Sequence, residues 1–214
     1  MIGLNITGKA LSTSLLLGAF AVGTQTAQAS AASPQLSISQ ITARGPGCPD
    51  GSVSSAVSED GQAFSVFFDQ FLVSTDGNAR RGTQVDRRNC ELGIDIKAPS
   101  GWSYALMAMD FRGFANIPRH GVGEVHVSFK NQHHGWRWLR PLRIRGQVAD
   151  EYIFSRTAPV DTLVWSGCEA ATRRLRLNTT LTLVTPHRTD GLLTVNSVDG
   201  ELSQKFQVQW RRCR

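Results

Sequence analysis

Apolar and polar residues alternate with a period of two along most of the chain. Cys90, Leu92, Ile94 and Ile96 interleave with Glu91, Gly93, Asp95 and Lys97, the pattern of a strand with one wet face. Leu175, Leu177, Thr179, Leu181 and Leu183 interleave in the same way with Arg174, Arg176, Asn178, Thr180 and Thr182, as do Phe206, Val208 and Trp210 with Gln207, Gln209 and Arg211. Phe64-Ser65-Val66-Phe67-Phe68 is instead nearly continuous, which suits a strand covered on both sides. Further strands are predicted over Leu36–Ala43, Ser52–Val57, Trp102–Arg112, Glu124–Lys130, Trp136–Val148, Thr162–Trp165 and Leu192–Val198. Asp60-Gly61, Asp76-Gly77, Pro99-Ser100-Gly101 and Asp199-Gly200 punctuate these runs, and the last reads as a hairpin turn that needs positive φ at both central residues. No apolar stripe of helical period exceeds two turns after residue 29. Ten or more short strands between polar turns predict an all-β fold, a single antiparallel β-sandwich rather than a barrel.

The N-terminus breaks the pattern. Lys9 is followed by an apolar run from Ala10 to Gly23 and by Ala27-Gln28-Ala29, the order of a secretory signal peptide over residues 1–29. That run is too short to span a bilayer, which takes roughly 20 residues, and no later stretch is apolar enough. Residues 30–214 then form one secreted domain, long enough to bury about 70% of the surface its unfolded chain exposes. They hold 22 basic and 17 acidic residues, a net charge of +5, and of the whole chain's basic residues 19 are Arg and four are Lys. One stretch, Ser74–Asn89, is polar, with Arg80-Arg81 and Arg87-Arg88, and reads as a long loop of the kind that is usually functional or disordered.

All four cysteines, Cys48, Cys90, Cys168 and Cys213, lie after the signal segment. An even count in an exported chain reads as two disulfides, and no C-x-x-C suggests zinc or redox chemistry. Trp165-Ser166-Gly167-Cys168 and Trp210-Arg211-Arg212-Cys213 are both W-x-x-C, as if two strands each bury a Trp and end at cysteines that meet. The expected pairs are Cys48–Cys90 and Cys168–Cys213, each closing a loop of about 40–45 residues and contributing roughly 4 kcal/mol in the chain-entropy account.

Several segments stand in a recognisable order. They are Gly47-Cys48-Pro49-x-Gly51-Ser52-Val53, Phe68-Asp69-Gln70-Phe71, Arg88-Asn89-Cys90-x-Leu92, Pro99-x-Gly101-Trp102-x-Tyr104 and Asp110-Phe111-Arg112-Gly113, then Leu163-Val164-Trp165-x-x-Cys168 and Gln209-Trp210-x-x-Cys213. In that order and spacing the chain, from about Ile38 to Cys213, resembles the secreted four-cysteine family catalogued as domain of unknown function 4360. The resemblance implies an exported β-rich domain and brings no catalytic residue with it.

The candidate chemistry is sparse. Asp110 and Arg112, two apart, are expected on one face with Trp102, Tyr104 and Leu106 as a structural ion pair, because a buried charge must be paired. His120, His126, His133, His134 and His187 form neither H-E-x-x-H nor H-x-H, so no metal or cofactor is expected. No G-x-S-x-G or free thiol offers a nucleophile. The richest segment runs from His133 to Arg140, where His134, Trp136, Trp138 and Arg140 would line one face of a strand, with Pro141 marking an edge or a break. Indoles stack on sugar rings and guanidinium forks grip carboxylate or sulfate. The reading that follows is a non-enzymatic secreted or envelope-associated binding protein. Its expected partner is an anionic extracellular polymer such as an acidic polysaccharide, not a specific nucleic acid. A secreted polysaccharide hydrolase, with paired acids brought together in space, is one alternative. A protease inhibitor presenting Ser74–Asn89 is another.

Overall fold

The structure, a computed structural model, describes residues 34–131, 134–169, 172–195 and 204–213. The predicted signal segment, His133 and the Asp199-Gly200 turn lie outside the described residues. In chain order the strands are β1 (Ser37–Arg44), β2 (Val53–Val57), β3 (Ala63–Phe68), β4 (Leu72–Asp76), β5 (Thr83–Lys97), β6 (Trp102–Ile117) and β7 (Val122–Asn131). They continue with β8 (Arg137–Trp138), β9 (Leu142–Arg145), β10 (Val148–Thr157), β11 (Thr172–Pro186), β12 (Asp190–Thr194) and β13 (Gln204–Arg212). One sheet runs β1-β5-β11-β7-β8, with β9 beside β8 on the same edge of β7. The other runs β2-β3-β13-β6-β12-β4, with β10 on the free side of β6. All pairings are antiparallel, and the fold is the all-β sandwich that the period of two predicts.

The core lies between the inner faces. Ile94, Ile96, Leu175, Leu177, Leu181, Leu183 and Val125 come from one sheet, and Phe64, Tyr104, Phe111, Phe206 and Val208 from the other. Phe64 and Phe206 stack with centroids 4.8 Å apart, and Phe111 meets Phe206 edge-on at 6.4 Å, contacts worth about 0.5–1.5 kcal/mol each beyond their buried area. Both expected disulfides are present, Cys48–Cys90 and Cys168–Cys213. The first is buried within the core and the second is partly exposed at one end of the sandwich. At Gly61, Gly77 and Gly101 the backbone has positive φ, so three of the predicted turns fall where glycine is needed.

Four expectations are corrected. Ser74–Asn89 is mostly strand: β4 and β5 leave only residues 77–82 as a loop, and β5 pairs with β11 back to Thr83. Its alternation was hidden because Gln84, Asp86 and Arg88 turn inward near the end of the core, where polar side chains still reach water. The inhibitor reading thereby loses its free segment. Trp136–Val148 is not one strand; Pro141, which cannot donate to a ladder, falls between β8 and β9, and the chain then crosses to the other sheet as β10. Thr162–Trp165 is not a strand either, but the end of a short 3-10 turn (Val160–Thr162) followed by a single bridge from Trp165 to Ala105. Finally, Asp110 and Arg112 do not share a face with Tyr104. The β6–β13 register skips Met107, with Leu106 opposite Val208 and Ala108 opposite Gln207. That bulge turns Met109 and Phe111 inward, and puts Asp110 and Arg112 on the outer face, where they are not ion-paired with each other.

Candidate binding face and cleft

Side chains directly opposite one another in an antiparallel ladder stand on the same face, so the registers sort the surface charge. On the outer face of the six-stranded sheet they place Arg44, Arg87, Lys97, Lys130, Arg143, Arg145, Arg174 and Arg176. Three acids stand with them, Glu91, Asp95 and Glu124. Eight cations against three acids is an excess of five, equal to the net charge expected after signal cleavage. On the outer face of the seven-stranded sheet, among the described side chains, Arg112 and Arg211 stand with Asp76, Asp110, Glu151 and Asp190. Among the described side chains, the excess of positive charge is therefore concentrated on one face.

At the β7–β8 edge of that face lie the predicted aromatic residues. Trp138 stands opposite Ser128 in the ladder and is 71% exposed. Trp136 is half-buried, with the Lys130 ammonium 4.9 Å from its ring centroid, a cation–π geometry. His134, Lys130, Asn131, Arg174 and Arg176 line a recess of about 490 Å³ beside this pair. Two of its cations are held in place by neighbours. Arg174 donates from Nε and Nη2 to both oxygens of Asp95, at 2.7 and 2.6 Å, while Arg176 stands 3.9 Å from Glu91. The Arg174 bond holds the Asp95 carboxyl below its ordinary range.

The four residues expected along one strand face are thus divided. His134 lines the basic recess, and Trp136 adjoins it through Lys130. Trp138 lies at the rim of a second cavity of about 510 Å³, a cleft between the β8 edge and strands β6 and β10 of the opposite sheet. Arg140 is exposed, and its charge acts on Arg156 of β10. Facing residues are one out of step between the Ser128–Trp138 and Val125–Leu142 pairs. This extra residue beside Pro141 interrupts the simple alternation. Lys130, Arg174 and Arg176 were not among the sequence candidates. Their alternation with apolar neighbours was visible, but their convergence beside His134 depends on how β7 and β11 pair.

One further cluster sits on the same face. Glu124 accepts a bond from Arg143 Nε at 2.6 Å and is 2.9 Å from His126 Nε2. First the His126 bond and then Arg143 hold its carboxyl below the ordinary range, against burial. His120 and His187 lie in turns elsewhere. Among the described residues no group of three His, Cys, Asp or Glu is placed to hold a metal, and no helix is long and apolar enough to cross a membrane. Among the named lining residues of the recess and the cleft, Asp161 is the one carboxylate.

A sequence model of the family "Domain of unknown function (DUF4360)" matches residues 34–213. A protein of Arthroderma benhamiae named "Uncharacterized secreted protein" is 30% identical over 174 residues, covering 81% of this chain and 70% of its own. A solved structure of TmCBM61 in complex with β-1,4-galactotriose is 12% identical and covers 82% of this chain and 90% of its own. Its TM-score is 0.26, too low to bear on the site. With two disulfides and a secreted relative, the chain is a secreted protein.

Proposed function

The chain belongs to the DUF4360 family, and from the charge of one sheet face we propose that it is a secreted binding protein for an anionic extracellular polysaccharide, without chemical turnover. The observation that supports this reading is the excess of five positive charges on the outer face of the six-stranded sheet, bordered by Trp136 and Trp138. Six of the eight cations there are arginines, whose planar forks suit carboxylate and sulfate better than ammonium does. A repeating anion laid across β5, β11 and β7 meets several of them, while Trp138 offers its ring to a sugar. The hydrolase reading has less support, since glycoside cleavage takes two carboxylates roughly 5–9.5 Å apart and the recess and cleft together offer Asp161. Export by cleavage of residues 1–29 belongs to the same proposal.

The experiment is a binding titration of the protein with polygalacturonate and with a neutral glucan, across ionic strength. Polygalacturonate should bind and the neutral glucan should not, and affinity should fall as salt rises, because exposed charges are screened over about 8 Å at physiological salt. Trp138→Ala should weaken binding at every ionic strength with no change in melting temperature. Arg176→Ala should mainly flatten the salt dependence. Equal binding of both polymers, or salt-independent binding, overturns the proposal.

A further inference from the structure

The cleft between the two sheet edges has a composition of its own. Its floor is apolar, formed by Leu106, Met109, Phe129, Leu163 and Val164, all buried. Its rim is cationic. Arg137 stands opposite Phe129 in the β7–β8 ladder, so its side chain leaves the strand on the cleft side. Arg156 reaches the rim from the opposite sheet, with its guanidinium 3.8 Å from the centroid of the Phe154 ring. Neither arginine is ion-paired with any carboxylate among the described residues. Burial, and then the charge of Arg140, hold Arg156 below the ordinary arginine range; the cleft's one carboxylate, Asp161, is not ion-paired with it. The bulge at Met107 shapes the wall, and the Met107 carbonyl accepts a bond from the Ala158 amide at 2.8 Å. A methionine in such a wall can adapt to a ligand's shape.

An apolar floor beneath two arginines that form no ion pair matches a molecule with an apolar body and one acidic end. We propose that this cleft is a second binding site, for a medium-chain aliphatic carboxylate, whose chain lies on Leu106, Met109, Phe129 and Leu163 and whose carboxylate bridges Arg137 and Arg156. The volume of about 510 Å³ lies within the range of small-ligand pockets, roughly 300–1,000 Å³. The site does not rest on polymer binding, since Arg156 belongs to the other sheet.

The test is calorimetric titration of the full protein with dodecanoate, with dodecyltrimethylammonium and with dodecanol. Dodecanoate should bind one to one, and the ammonium compound should not compete with it. In the Arg137→Gln, Arg156→Gln double variant dodecanoate affinity should fall about tenfold or more, the loss expected when charge-assisted bonds are removed, while binding of dodecanol is unchanged. Asp161→Asn should leave dodecanoate affinity equal or stronger. Arg137 is exposed, so the single Arg137→Gln variant reads the same effect should the double variant melt early. Equal affinity for the carboxylate and the ammonium compound, no effect of either variant, or no saturable binding of dodecanoate overturns the proposal. Polygalacturonate affinity, measured on the same samples, reports separately on the sheet face.

Discussion

Asp95 and Glu124 hold the outer face of the six-stranded sheet in register by tying neighbouring strands side chain to side chain. Asp95 of β5 grips Arg174 of β11 through two bonds, and Glu124 of β7 joins Arg143 of β9 and His126 of its own strand. Both carboxyls are held below their ordinary values of 3.8 and 4.5. A depressed carboxyl contributes stability that is fully present above its unfolded pKa and is lost as pH falls through the lower folded value. The melting temperature should therefore hold from neutrality to about pH 5 and fall below about pH 4. Asp95→Asn should lower it at pH 7 and flatten that acid limb, as thermal melts between pH 2.5 and 7 would show. Because Arg174 is partly exposed, the loss at pH 7 should be about 1 kcal/mol or less. A melting temperature independent of pH down to 3 would refute these roles.

Among the elements, β10 shows how a nearly uncovered strand is fastened. Ile153 is 64% exposed, and among the described residues the strand pairs with β6 alone. Tyr152 stands opposite Gly113, and its hydroxyl passes over that glycine to donate to the Thr194 carbonyl at 2.6 Å. Burial pushes the phenol well above its ordinary pKa, so it stays a donor at every physiological pH. A Cβ at Gly113 would meet the Thr194 oxygen at 2.1 Å and the Tyr152 hydroxyl at 2.8 Å. Gly113→Ala should accordingly cost about 1–3 kcal/mol by overpacking, measured by denaturant unfolding; a cost near zero would mean that β10 is not held this way. The same element marks where the chain became hard to read. Strands with one dry face, such as β11 and the second half of β5, are legible because their apolar residues recur every second position. β10 buries Phe154 alone, and the first half of β5 turns polar residues toward the end of the core, so neither shows such a rhythm. The Met107 bulge is invisible for a different reason, since one extra residue is defined only by the partner strand. The binding face was half legible for both reasons. Trp136, Trp138 and His134 stood out as a segment, whereas Lys130, Arg174, Arg176 and Arg156 join them through pairings between strands distant in sequence.

For the whole molecule, the two disulfides stand in opposite situations. Cys48 and Cys90 are each 1% exposed, while Cys168 is exposed and lines a surface cavity with Arg211 and Arg212. Under mild reductant in native conditions Cys168–Cys213 should open first, with the sandwich intact, and Cys48–Cys90 only as the fold opens. Differential alkylation read by mass spectrometry follows both, and simultaneous loss would contradict this order. Once native Cys48–Cys90 is gone, stability should fall by about 2–5 kcal/mol. The place of β13 bears on a different property, the timing of folding. It lies between β3 and β6, with Phe206 opposite Phe64, so the edge of β3 away from β2 waits for a partner made well over a hundred residues later. An emerging N-terminal half has no closed sheet to settle into, and pairings this distant in sequence form slowly, over milliseconds to seconds. The seven-stranded sheet therefore cannot close until Gln204–Arg212 has been made.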